Sequence, residues 1–170
     1  MRVGAVARPR ENRSVTRIVL VALVDRAGAV LLRLHGEQSA IRPNRWSLPG
    51  GPALAAEMPA RAAARLLKEQ TGLEVDPLRL RLSWRGQLPD YAAEVYLFAA
   101  ATTATDADIS TDPVPGAIAR RGEYVVRFIP GDRVQSGRPF TPASGYVIGD
   151  FMASRDYREL TEAFDPEEIA

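Results

Sequence analysis

The chain has 170 residues, of which 46% are hydrophobic, 22 are Lys or Arg, 21 are Asp or Glu, one is His and none is Cys. This length and apolar content suit one domain with a sizeable core. The lack of Cys excludes disulfides, iron–sulfur clusters, thiolate catalysis and cysteine zinc sites. A net charge of +1 argues against electrostatic nucleic-acid binding, and no apolar run approaches the roughly 18 residues of a membrane helix. We therefore expect a cytoplasmic protein with no membrane or nucleic-acid partner.

The N-terminal segment, residues 1–13, is basic and lacks the features of a strand or helix. It predicts a flexible arm, which is either a mobile leader or a contact with a second copy in a homodimer. Residues 14–170 show no linker and no internal repeat. They predict one domain.

The first structured region is predicted to be a β-hairpin. Residues 14–24 and 29–34 are rich in Val, Ile and Leu, and the turn sequence Asp25 to Gly28 separates them. The polar run 35–45 predicts a loop. Trp46 to Gly51 then predicts a short strand that ends in a glycine turn.

The strongest helical pattern is at residues 57–71, which are dense in Ala, Arg, Leu and Glu. Pro59 suits the first turn of a helix, where its missing N–H is tolerated. Gly72 suits the C-terminal end, where the backbone often turns left-handed.

The second half of the chain predicts further strands and one more helix. We expect strands at 78–84, 91–101 and 123–129, loops at 102–116 and 130–145, and a final helix within 148–164. Trp84 and Tyr91 are expected in the core. This order predicts an α+β fold, an α/β/α sandwich whose mixed β-sheet lies between the central helix and the C-terminal helix.

Residues Trp46 to Leu73 read WSLPGGPALAAEMPARAAARLLKEQTGL. This segment resembles the Nudix box, G-x5-E-x7-R-E-U-x-E-E-x-G-U, in which U is a bulky aliphatic residue, preceded by that family's W-x-L-P-G-G sequence. Seven positions match at the correct spacing: Gly51, Glu57, Arg65, Leu67, Glu69, Gly72 and Leu73. Two positions depart from the pattern, because Leu66 and Gln70 stand where the family has glutamates.

The resemblance implies a Nudix fold and hydrolysis of a diphosphate bond in a nucleoside diphosphate linked to another group. It implies Mg²⁺ or Mn²⁺, which would screen the phosphate charge and help activate water. Its catalytic residues would be Glu69, Arg65 and Glu57. Its metal ligands would come from Glu69, Glu57, Gln70 and a carbonyl of Gly50 or Gly51.

The two departures leave two interpretations of this helix open. Positions 66, 69 and 70 share one helix face, and only Glu69 among them carries a carboxylate. Either the box is a relic whose metal-dependent activity is weakened or lost, or one ion held by few ligands and the substrate still supports slow hydrolysis. The alternative function is a non-catalytic module that binds a nucleotide or diphosphate on the same fold.

Three arginines flank the predicted cleft and are candidate substrate-binding residues: Arg33, Arg42 and Arg45. A guanidinium group binds phosphate oxygens in pairs, although surface arginines without a ligand role fit the pattern equally well. Glu123 and Asp112 are candidate bases in the downstream loops. His35, the single histidine, is expected in a solvated loop.

Overall fold

The structure, a computed structural model, describes residues 15–37, 39, 42–110 and 124–163. Within these ranges the chain forms seven strands and three α-helices. The strands are β1 (Thr16–Val24), β2 (Val30–His35), β3 (Trp46–Ser47), β4 (Gly50–Pro52), β5 (Arg81–Gln87), β6 (Ala93–Ala101) and β7 (Tyr124–Ile129). The helices are α1 (Pro59–Thr71), α2 (Pro142–Met152) and α3 (Arg155–Glu162). The predicted arm at 1–13 lies outside the described residues.

The strands form one mixed sheet centred on β1 and β6, which pair in parallel from Thr16 and Ala93 to Val24 and Ala101. The order along the sheet is β3–β2–β1–β6–β5, while β4 pairs with β1 and β7 pairs with β2. The other strand pairs are antiparallel. The predicted hairpin of β1 and β2 is confirmed, and its turn is held by Asp25, whose carboxylate accepts hydrogen bonds from the N–H groups of Ala27 and Ala29.

Helices cover both faces of the sheet, which explains why β1 is apolar on both sides. Alternate β1 side chains enter two separate cores. Val19, Val21 and Leu23 pack with the buried face of α1, whereas Leu20, Ala22 and Val24 pack with residues of α2. Tyr157 and Leu160 of α3 pack against the second core. The predicted α/β/α arrangement is therefore confirmed.

The C-terminal region differs from the prediction, because two helices replace the single one expected within 148–164. α2 begins at Pro142, inside the predicted loop, and it buries Val147, Ile148 and Phe151. Pro142 suits a first helical turn, so its presence does not indicate a loop there. A new helix starts after Ser154, whose hydroxyl accepts a hydrogen bond from the Tyr157 N–H.

The strand expected at 78–84 also begins later than predicted. Residues Pro77–Arg79 form a 3₁₀ turn, capped by the Asp76 carboxylate, which accepts a hydrogen bond from the Leu78 N–H. Leu78 is 93% exposed. The alternation of Leu and Arg at this point therefore does not mark the buried and exposed faces of a strand. Tyr91, expected in the core, is half exposed in the turn before β6, whereas Trp84 is partly buried against the α2-side core.

The glycine turn after β3 crosses very close to the centre of the sheet. Gly50 lies opposite Leu20 in the β1–β4 register and has a φ of 146°. A Cβ atom at this position would lie 2.9 Å from Leu20 Cα and would overlap the Val19 carbonyl oxygen. Only glycine fits here, which fixes the start of the loop that leads into α1.

None of the helices in the described ranges combines the length and the apolar character that crossing a lipid bilayer requires.

We predict that Gly50→Ala lowers the free energy of unfolding by about 2 to 4 kcal/mol, since it adds both backbone strain and overlap with β1. Urea unfolding measures the change. Gly137→Ala is the control, because Gly137 also has a positive φ, 60°, but a Cβ there meets no atom within 4 Å. The control is expected to lose only about 1 kcal/mol. Equal losses in the two variants would contradict the close approach of Gly50 to β1.

Candidate functional site

The site is built on α1 and the glycine turn, as predicted from the helical pattern. Pro59 occupies the first turn of α1 and Gly72 ends it with a φ of 75°, its N–H donating to the Lys68 carbonyl oxygen at 2.9 Å. The helix buries Ala62, Ala63, Leu66 and Leu67 against the sheet. This packing fixes which side of α1 faces the turn at Gly50 and Gly51.

Glu57 and Arg65 form a two-pronged ion pair. Arg65 Nε donates to Glu57 Oε1 at 2.7 Å and Arg65 Nη2 donates to Oε2 at 2.9 Å. These bonds hold the pKa of Glu57 below its ordinary value, with a smaller contribution from the Leu54 N–H, while burial opposes the shift. The same contacts raise the pKa of Arg65. The pair therefore ties the loop before α1 to the helix.

Arg65 also contacts Glu69, one helical turn further on. Its Nη1 atom lies 3.3 Å from both carboxylate oxygens of Glu69. Glu69 is 31% exposed. The structure thus brings together the three residues that the resemblance makes catalytic, with Arg65 between two carboxylates.

The Gln70 side chain forms two hydrogen bonds with the backbone of Gly50. The Gly50 N–H donates to Gln70 Oε1 and Gln70 Nε2 donates to the Gly50 carbonyl oxygen, both at 2.9 Å. Only one orientation of the amide satisfies both groups, so the paired bonds fix which end of the side chain is oxygen. A glutamate could accept from the N–H, but its carboxylate could not donate to the carbonyl.

Leu66 belongs to the core on the α1 side and is only 8% exposed. Its Cδ1 atom lies 3.9 Å from the position that a Cβ on Gly51 would occupy. Leu66 therefore fills the space between α1 and the turn with methyl groups, and it offers no ligand atom.

The donor atoms of this site do not fit a divalent cation held by the protein. Mg²⁺ prefers an octahedral set of oxygens, including one or two carboxylates. The Gln70 oxygen already accepts a hydrogen bond from the Gly50 N–H, and the Gly50 carbonyl oxygen accepts one from the Gln70 amide. In the ranges that the structure describes, no group of three or more His, Asp or Glu side chains could hold a metal ion.

A polar cluster lies on the same side of the sheet as α1. Arg33 of β2 is 6% exposed, and its guanidinium carbon lies 4.2 Å from the centre of the Tyr124 ring on β7. His35 contacts the same ring edge-on at 5.1 Å between centroids, and its Nε2 lies 3.0 Å from Ser47 Oγ. The prediction of a loop position for His35 is wrong, because it is the last residue of β2.

The remaining candidate residues of the sequence analysis are two arginines and two possible bases. Arg42 and Arg45 are exposed in the connection between β2 and β3, where the Arg45 carbonyl accepts a hydrogen bond from the His35 N–H. Only Arg33 of the three candidate arginines is buried. The candidate bases Asp112 and Glu123 lie outside the described residues.

Sequence reasoning missed Tyr124 and Ser47 as neighbours of Arg33. The period-two pattern of β2 does place Arg33 and His35 on one face. Their partners come from the pairing of Arg33 with Ser47 and of His35 with Tyr124 across the sheet. That register joins distant parts of the chain, so no local pattern could have indicated it.

The chain carries a known sequence domain, and its fold is similar to that of solved structures. A family model described as the NUDIX domain matches residues 15–121. No curated protein matches the sequence. The similar solved structures include a NUDIX hydrolase from Nitrosomonas europaea, with a TM-score of 0.61, 19% identity, and coverage of 86% of this chain and 75% of that one.

Two further structures show the same fold similarity. The MutT protein from Methanosarcina mazei Go1 has a TM-score of 0.56 and 19% identity, with coverage of 90% of this chain and 94% of that one. A bifunctional NMN adenylyltransferase/ADP ribose pyrophosphatase from Francisella tularensis has a TM-score of 0.60 and 14% identity, with coverage of 84% of this chain and 42% of that one.

Nudix hydrolases generally use a divalent metal. Since the family model spans more than half of the 170 residues, the chain belongs to the Nudix family.

Proposed function

We propose that this chain is a Nudix-fold protein that binds a nucleotide or another diphosphate-containing small molecule without needing a metal ion. Its metal-dependent pyrophosphohydrolase activity is weakened or lost. The observation that carries the proposal is the double hydrogen bond between Gln70 and the backbone of Gly50. These two bonds engage the Gly50 carbonyl and the Gln70 side-chain oxygen, two of the groups that the resemblance would make metal ligands.

The electrostatics of the site support the same proposal. A diphosphate is a dense anion, and its hydrolysis needs positive charge at the bridging oxygens and an oriented water. Leu66 supplies no ligand, and Glu57 is engaged by Arg65. Glu69 is the remaining carboxylate of the three helix positions, and one carboxylate holds Mg²⁺ or Mn²⁺ weakly. Ligand binding then depends on protein cations, for which Arg33, Arg42 and Arg45 are the candidates.

Slow hydrolysis is the second candidate function. It is favoured by Glu69, which remains 31% exposed beside Arg65. In this case the substrate would contribute most of the metal ligands. Glu69→Gln would then abolish the turnover.

We expect ADP to raise the melting temperature of the protein equally in EDTA and in Mg²⁺. A ligand at about 100 times its Kd stabilises the native state by about 2.7 kcal/mol, which corresponds to a shift of several degrees. Differential scanning fluorimetry measures this, with adenosine as the control that lacks phosphate. Stabilisation that appears only with Mg²⁺ would contradict metal-free binding.

The same samples also test the loss of hydrolysis. With Mg²⁺ or Mn²⁺, a panel of nucleotide sugars, dinucleotides and nucleoside triphosphates is expected to release little or no phosphate-containing product. Fast turnover of any panel member, lost in Glu69→Gln, would show that hydrolysis survives and that the proposal is wrong.

Restoring both glutamates should return metal binding to the site. We predict that Leu66→Glu with Gln70→Glu binds Mn²⁺ more tightly than the wild type, as measured by isothermal titration calorimetry. In EDTA the double variant should be less stable by about 2 to 5 kcal/mol, because it loses a buried leucine and the bond to the Gly50 carbonyl. Mn²⁺ should recover part of that stability.

Gln70→Glu alone is the matched control, since it restores one carboxylate and leaves Leu66 in the core. It should gain much less Mn²⁺ affinity than the double variant. If the double variant binds Mn²⁺ no better than the wild type, the turn and helix do not retain the geometry of a metal site.

A further inference from the structure

We propose that Arg33 is the residue that binds a phosphoryl group of the ligand, and that Tyr124 is the positioning residue that orients its guanidinium. This inference rests on the proposed function and names the residue that replaces the positive charge of a metal. It concerns the face of β2 and β7 that packs on the α1 side of the sheet.

Arg33 is buried beside Tyr124, and one of its nitrogens has no hydrogen-bond partner. The residue is 6% exposed. Its Nε atom is the one fully buried side-chain polar atom without a hydrogen-bond partner in the described part of the chain. The ion pairs of the described residues do not include Arg33.

A buried guanidinium whose Nε has no hydrogen-bond partner and that forms no ion pair in the described part of the chain is costly for the native state. Buried charges are normally neutralised by an opposite charge, because desolvation disfavours the ionised form. Burial lowers the pKa of Arg33, and the neighbouring Tyr124 opposes that shift. Arginine nevertheless stays protonated in proteins. The folded chain therefore holds a positive charge that an anionic ligand would neutralise.

The ring of Tyr124 orients this charge. The guanidinium carbon of Arg33 lies 4.2 Å from the ring centre, which is the distance of a stacked cation–π contact. A guanidinium stacked on a ring keeps its hydrogen-bonding edge available for two parallel bonds to an oxyanion. Tyr124 is itself packed against the core that contains Leu66, so its position is set by the fold.

The position of Arg33 connects it with the candidate site. Arg33 pairs with Ser47, three residues before Gly50, and with Val126, which lies in the core under α1. Its side chain is therefore on the α1 side of the sheet, which also carries the Gln70–Gly50 contact. A phosphoryl group bound at this face would be neutralised by the guanidinium.

The test is isothermal titration calorimetry of inorganic pyrophosphate and of ADP in EDTA. We expect Arg33→Met to weaken both affinities by at least about tenfold, which is the effect of one lost charge-assisted bond pair. The melting temperature of ligand-free Arg33→Met should equal or exceed that of the wild type, because the buried charge and its unpartnered Nε are gone. A purely structural role for Arg33 predicts the opposite, a lower melting temperature with unchanged affinity.

Arg79→Gln is the matched control. Arg79 is an exposed arginine in the 3₁₀ turn before β5, so this variant loses the same charge away from the site. Its affinities should stay within about twofold of the wild type, since a distant surface charge is largely screened. An equal loss in Arg79→Gln would show that net charge alone explains binding and would overturn the inference.

Arg33→Lys keeps the test valid if Arg33→Met does not fold. Lysine retains the charge but not the planar fork, so binding should be several-fold weaker than the wild type. If Arg33→Met binds the ligands with wild-type affinity, Arg33 is not the residue that binds the phosphoryl group. If Arg33→Met does not fold, wild-type affinity in Arg33→Lys leads to the same conclusion. If the wild type binds neither pyrophosphate nor ADP in EDTA, the proposed function itself is wrong. If the wild type binds them and the Arg33 variants bind equally well, only the role of Arg33 is wrong.

Discussion

The arrangement of the site depends on one side-chain amide that joins the helix to the glycine turn. Gln70 of α1 donates to the carbonyl and accepts from the N–H of Gly50, which itself lies against β1. The contact holds the helix and the turn together by two paired hydrogen bonds. A neutral hydrogen-bonded pair needs no cation to be stable, so the turn and helix keep their geometry in the protein alone.

The two carboxylates near this contact are both paired with one arginine. Glu57 and Glu69 are both engaged by Arg65, and Leu66 extends the apolar core up to the turn. The negative charges of Glu57 and Glu69 are therefore balanced by Arg65. Arg33, on the α1 side of the sheet, carries a positive charge whose Nε is buried without a hydrogen-bond partner. This balance supports the proposal that the site binds an anion in preference to a divalent cation.

Much of the fold could be predicted from the sequence, because its signals are local. The apolar runs of β1 and β2, the glycine turn, and the start and end of α1 follow from residues that are close in the chain. The split between α2 and α3 could not be predicted in this way, since Pro142 fits a loop as well as a first helical turn. The bond between Gln70 and Gly50, and the stacking of Arg33 on Tyr124, join residues far apart in sequence. They depend on the packing of α1 and on the register of β2 with β7.

The central claim is that the Gln70 amide, hydrogen-bonded to the Gly50 backbone, joins α1 to the glycine turn without a metal ion. Paramagnetic relaxation in ¹⁵N-labelled protein tests it most directly, by following the Gly50 backbone N–H and the Gln70 side-chain amide during addition of Mn²⁺. The structure predicts that both resonances remain sharp at Mn²⁺ concentrations that broaden the Gly50 backbone N–H signal of the variant with Leu66→Glu and Gln70→Glu, which has no side-chain amide at position 70. Selective broadening of the Gly50 and Gln70 signals in the wild type would contradict it.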